Sequence, residues 1–269
     1  MRIHAIIALG ALAAFSAMGA VTGTITLANG EKLVGTVTWS KRDQEYQMKV
    51  KGASVNRGIK ESELAEDDGI VIDKPDVLDA AIAQVEKGEA AAAIPVLQKV
   101  VQEYAHLQWD KVAGRYLAEA YVDADKPRDA EGVCDGIIKG EKSAAYRGEL
   151  APVYWKVLLK LNQRSKLVKL LEKAEQGNDR YSRGAALIMR GDIVIHDGNE
   201  SVDACKKALT DGYLRVVFLY TDEEIAEKLQ PEALYKAARC FEKLNRNGPA
   251  NKMRTELKST YASSFWAKK

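Results

Sequence analysis

Two periods divide this chain. Residues 22 to 65 alternate apolar and polar side chains with the two-residue rhythm of strands, and from Val77 onward apolar side chains return every three or four residues. In the first block Thr22-Gly-Thr-Ile-Thr-Leu27 alternates, Ala28-Asn-Gly-Glu31 supplies a turn, and Lys32-Leu-Val-Gly-Thr-Val-Thr-Trp39 alternates again. Asn-Gly between two alternating runs is a strong hairpin signal, because both turn residues must reach positive φ. A third strand is expected at Tyr46–Val50, with Tyr46, Met48 and Val50 on one face, and Ile59 to Leu64 closes the block. Four or five such short strands bury one face only by curling. Residues 66 to 76 lose the alternation and read as a linker, with Pro75 opening the next helix.

The second block predicts helices alone. Val77, Leu78, Ala81, Ile82 and Val85 form one stripe that stops at Gly88, and Ile94, Leu97, Val100, Val101 and Tyr104 form the next. Breaks follow at Asp125, Gly140, Asn162, Gly177, Asp197, Thr221 and Asn245 to Pro249. Turns this regular suggest repeats. The phrase Tyr104-Ala-x-x-x-Trp-x-Lys111 returns as Tyr261-Ala-x-x-x-Trp-x-Lys268, 157 positions later. At the same shift Ala80-Ala81 falls on Ala237-Ala238 and Ala93 on Ala250. Ala118 with Ala130 and Gly191 with Ala204 look like intermediate copies, while the copy around Tyr154 to Leu161 keeps its stripe without the alanines. Small residues at a fixed offset let paired helices approach to roughly 8–10 Å, and pairs that cannot bury their own apolar faces must stack on neighbours.

On these motifs the strand block resembles small SH3-like or Sm-like barrels. The helical block resembles tetratricopeptide repeats. The residues that carry this likeness are the pairs Ala81 with Ala93, Ala118 with Ala130 and Ala238 with Ala250, together with Tyr104 and Tyr261 closing second helices. The phrases at 93–121 and 231–269 look especially like repeats of bacterial envelope proteins, such as outer-membrane assembly lipoproteins and the Tol–Pal coordinator. The steps between copies, near 37, 37, 36 and 47 residues, exceed the family's roughly 34. The resemblance implies a superhelical solenoid of about five helix pairs over 77–269, with the first helix of each pair lining a concave groove. Carried over copy by copy, it points to Arg115 and Glu119, Lys156, Asp192, and Tyr235, Arg239 and Glu242 as partner-binding residues.

Composition adds an address. Met1-Arg-Ile-His4 is a short basic lead, Ala5 to Phe15 is uncharged and apolar, and Ala17-Met-Gly19 offers small residues for cleavage after Gly19 or Ala20. This predicts a secretory leader over 1–19 and a periplasmic or secreted protein. The 17 uncharged residues from Ala5 to Val21 fall short of the roughly 20 that span a bilayer. With 40 basic and 38 acidic residues the net charge is +2, and nothing in it argues for nucleic acid. Cys134, Cys205 and Cys240 form no CxxC motif and read as buried thiols.

Catalytic patterns are scarce. His106 and His196 are the only histidines after the leader, and no HExxH or GxSxG occurs. His196-Asp197 reads as a helix end, Gly136 to Ser143 departs from a phosphate loop, and Arg190-Gly-Asp192 falls inside a helix. Glu223-Glu224 and Asp67-Asp68 read as solvated faces or helix starts, and the lysines from Lys156 to Lys173 as a solvent face. The expectation is therefore α+β and multidomain: a small N-terminal all-β barrel at 22–65, then an all-α tetratricopeptide-like solenoid. It would serve as a non-enzymatic protein–protein interaction scaffold of a bacterial envelope complex, without cofactor or metal. A peptidoglycan- or polysaccharide-binding module is the alternative, with Trp39, Tyr46, Trp155 and Trp266 as candidate aromatics, and an enzyme with an unrecognised site is the third reading. The solenoid lacks an obvious polar cap after Trp266, so self-association there is also expected.

Overall fold

The computed structural model describes residues 21–66 and 69–269. The expected leader and Asp67-Asp68 lie outside the described residues. The chain divides into two compact units: residues up to Lys74 with Gln102–Asp110, and Pro75–Val101 with Lys111–Lys269.

The first unit is an antiparallel five-stranded sheet. Its strands are β1 (Val21–Thr26), β2 (Lys32–Ser40), β3 (Glu45–Val50), β4 (Arg57–Ile59) and β5 (Ile70–Ile72), in the order β4-β3-β2-β1-β5. Gly30 sits at φ 86° in the β1–β2 turn, where the missing Cβ makes the left-handed region accessible, and Asn29 Oδ1 accepts from Glu31 N at 2.9 Å. Val21 and Met48 flank Val37 in register, and Ile25, Val37, Met48 and Ile59 are buried on one face. Two features differ from the expectation. Ile70–Ile72, inside the stretch read as a linker, is a strand paired with Gly23–Ile25. The apolar face is also covered by a segment from far along the chain: Leu107 is wholly buried in it, and Tyr104 and Trp109 pack against it.

That cover is held by polar contacts as well. Gln108 donates from Nε2 to Ile70 O at 2.7 Å and accepts from Ile72 N at 3.1 Å, so its amide satisfies the outer edge of β5. Trp109 Nε1 donates to Ile72 O at 2.8 Å. The His106 ring stacks on Trp39 with centroids 4.5 Å apart. His106 and Gln108 both take positive φ, at 66° and 69°.

The second unit is helical. It contains α1 (Asp76–Glu86), α2 (Ala90–Glu103) up to Val101, α3 (Trp109–Asp123) from Lys111, α4 (Pro127–Gly140), α5 (Leu150–Lys160) and α6 (Arg164–Gln176). Then come α7 (Arg180–Asp197), α8 (Val202–Ala208), α9 (Leu214–Leu219), α10 (Glu223–Lys243), α11 (Asn247–Thr260) and α12 (Phe265–Lys268). Pro75 is the residue before α1 rather than part of its first turn.

Five turns repeat one geometry. Gly88, Asp125, Asn162, Asn199 and Asn245 all have positive φ, and each joins the two helices of a pair. They stand 37 residues apart three times and 46 apart at the last step. At each one the next N–H bonds back across the turn: Glu89 to Gln84 O, Lys126 to Tyr121 O, Gln163 to Leu158 O, Glu200 to Ile195 O and Arg246 to Phe241 O. This is the six-to-one closure of a Schellman motif, and it favours residues that tolerate the left-handed region. Seven residues before and five after the turn residue stand Ala81 and Ala93, Ala118 and Ala130, and Ala238 and Ala250, all buried. The middle copy places Trp155 and Leu167 there, both wholly buried. Trp155 donates to Ala145 O at 3.0 Å, in the 3₁₀ turn Lys142–Ala145 that lengthens the entry to α5.

The long last step has a visible cause. α8 runs through a π-helical turn, Leu209–Tyr213, into α9 before α10 begins. Gln230 in α10 donates to the carbonyls of Val216, Val217 and Tyr220 and so closes the end of α9. Among the described residues no helix is long and apolar enough to cross a membrane.

Candidate binding groove

The first helices of successive pairs bring their charged side chains to one face. Arg115 in α3 pairs with Glu119, one turn on, at 3.6 Å, and with Glu149 before α5, also at 3.6 Å. Lys228 of α10 reaches Glu149 at 3.2 Å. Lys156 of α5 lies 3.5 Å from Glu232 of α10. Lys236, one turn after Glu232, contacts it at 2.6 Å and contacts Asp192 of α7 at 2.6 Å. Arg115, Glu119, Lys156 and Asp192 thus share one face, joined through Glu232 and Lys236, which sequence reasoning missed. Their signal was present: Glu232 and Lys236 are an i, i+4 pair beside Tyr235 and Arg239.

The centre of this network is desolvated. The Asp192, Glu232 and Lys236 side chains are only 15–18% exposed. Burial alone would lower the pKa of Lys156, but Glu232, Glu119 and Asp192 outweigh it and hold the pKa above the usual lysine range. Burial pushes Glu232 up, and Lys156 and Lys236 outweigh it and hold its carboxyl well below the usual range. Glu119 goes the other way, since burial raises it and Lys156 and Arg115 only partly offset the rise.

The remaining three predicted residues stand around a cavity of about 360 Å³. Asp192, Tyr235, Arg239 and Glu242 line it, with Tyr213, Lys236 and Trp266. Arg239 pairs with Glu200 at 3.5 Å and Glu242 with Arg254 of α11 at 3.0 Å. The Arg254 guanidinium lies 5.1 Å from the Tyr235 ring. Tyr213 enters from the π-helical turn and donates to Asp192 at 2.8 Å. Gly191 makes the room: a Cβ there would stand 2.5 Å from the Tyr213 ring.

Other sequence candidates have structural partners. Arg190 pairs with Glu175 and Gly191 is buried in α7, so Arg190-Gly191-Asp192 is not displayed on a loop. His196 and Asp197 meet Arg164 at the end of α7. Lys156 leaves the lysine series for the groove, whereas Lys160 and Lys166 pair with Asp125 and Glu131. Of the aromatics suggested for a glycan, Trp39, Tyr46 and Trp155 are buried, and Trp266 is half-buried. Cys134, Cys205 and Cys240 are buried free thiols, and Cys205 and Cys240 lie close enough to interact beside the cavity. Among the described residues no group of three metal-ligating side chains comes together.

No protein-family model and no curated protein matches the chain. Among solved structures it is similar to the nearly identical TPR-like repeats of a putative kinesin light chain from Podosopora anserina, at 15% identity, over 69% of this chain and 92% of that one, with a TM-score of 0.39.

Proposed function

We propose that this chain is a non-enzymatic protein-interaction scaffold, exported to the envelope of a bacterial cell, that holds a partner along the face formed by α3, α5, α7 and α10. The observation that carries the reading is the run of half-buried charges from Arg115 to Arg239, contributed by four helices to one face. Paired charges held in a desolvated groove select partners by electrostatic complementarity more than by area. Mixed signs suit a polar, peptide-like partner. The export part rests on the apolar lead of the sequence, Ala5 to Phe15, and its small residues at Ala17 and Gly19.

Two measurements test it. A photo-crosslinking amino acid at Lys156 should capture a specific protein in cells, and Arg239→Glu, at a side chain that is 54% exposed, should weaken the capture while the thermal melt stays close to that of the unaltered chain. Capture that is unchanged in Arg239→Glu would refute the groove as the binding face. A fusion of residues 1–40 to alkaline phosphatase should be active in intact cells, since that enzyme folds only after export, and an inactive fusion would refute the localisation.

A further inference from the structure

The groove already contains a piece of this chain. After α11 the chain turns at Tyr261 and α12 lies back on α10 and α11, with Ser264 Oγ accepting from Ala267 N at 3.2 Å. The Trp266 ring stands 5.2 Å from the Tyr235 ring, tilted by 43°. The ammonium groups of Lys236 and Lys269 lie 5.6 and 5.1 Å from the Trp266 ring. The charge of Lys269 also acts on Asp123 in α3. At the other end, Phe265 Cε2 comes 3.8 Å from where a Cβ on Gly88 would stand. This short stretch therefore spans from the last helix pair to the first.

We infer that Tyr261–Lys269 is an intramolecular occupant of a recognition site for segments that present an aromatic residue followed by lysines, and that a partner segment of that chemistry displaces it. The inference rests on the groove being the interaction face. Three features make the occupant displaceable. None of the α12 residues is fully buried, and Phe265 is 39% exposed. A four-residue helix has no stability of its own. A cavity of about 360 Å³ persists beside Trp266, so the segment does not fill the site. The features that receive it are built into the groove: the Tyr235 ring backed by Arg254, the Lys236 ammonium held by Asp192, and the Asp123 carboxylate within the field of Lys269. A stretch serving only to cover the end of the repeats would bury its two large rings.

The test uses the full chain and a fluorescein-labelled peptide of residues 261–269. The double variant Phe265→Ala, Trp266→Ala, whose melt should stay close to that of the unaltered chain, should bind the peptide roughly tenfold or more tightly than the unaltered chain does, because occupancy in cis lowers apparent affinity. The same peptide with its Trp replaced by Ala should not bind. Equal affinity for both chains, or binding to neither, overturns the inference. A dimer in light scattering that the double variant converts to monomer also overturns it, because the segment would then be exchanged between copies. If the peptide fails while the crosslinker at Lys156 still captures a protein, the occupant falls and the scaffold stands. If both fail, the scaffold falls too.

Discussion

Tyr-Ala-x-x-x-Trp-x-Lys occurs at 104–111 and at 261–268, and the two copies do different work. Both follow the end of a long helix, and in both the Trp falls in the first turn of the next. The three intervening residues separate them. In the first copy His106-Leu107-Gln108 stack on Trp39, fill the sheet core and satisfy the β5 edge. In the second, Ser263-Ser264-Phe265 offers an N-cap hydroxyl and an exposed ring, and Trp266 lies on Tyr235 in the groove. A shared phrase fixes where helices stop and start, and the side chains between its fixed points decide what the connection packs against.

Giving the first copy the second copy's residue should have the largest effect. Leu107→Ser removes a wholly buried side chain and places a hydroxyl in the sheet core, so a loss of about 3–5 kcal/mol is expected in chemical denaturation. If the sheet unit kept its stability, Leu107 would not be its keystone.

The groove side should respond to charge instead. Glu232→Gln should cost about 3 kcal/mol at neutral pH, because Lys156 and Lys236 lose a buried partner. Its folded pKa is depressed, from 4.5 to about 2, so its contribution is present above pH 4.5 and is lost as pH falls through about 2. The variant should therefore show a shallower acid slope in melts between these values. Glu119 carries the opposite sign. Its raised folded pKa means that stability is lost as pH rises through it, so Glu119→Gln should be neutral or slightly stabilising at neutral pH. A larger loss for Glu119→Gln than for Glu232→Gln would reverse the electrostatic assignment.

The smallest effect belongs to the reverse exchange. Ser264→Leu removes the α12 cap, worth about 1 kcal/mol locally, and should leave global denaturation nearly unchanged. A global loss matching that of Leu107→Ser would erase the difference between the two copies.

Much of the helical unit was legible because its signals are local. Apolar stripes, buried alanines and the left-handed residues Gly88, Asp125, Asn162, Asn199 and Asn245 each act within a few positions of themselves. The groove was legible only through copy-by-copy resemblance, which reached Arg115, Glu119, Lys156 and Asp192 but not the Glu232–Lys236 pair that joins them. The sheet's cover was not legible at all, since Leu107 follows the last residue of the helical stripe, in the connection between α2 and α3, and its partners are tens of residues away.

The sequence by itself therefore determined the two periods, the strand segments other than Ile70–Ile72, most of the helix segments and the recurring turns, because backbone dihedrals and side-chain periodicity are set by near neighbours. Only the tertiary structure decided which apolar residues complete the sheet, which charges meet in the groove and where Trp266 rests. Those are contacts between distant parts of the chain, and no local propensity encodes their distance.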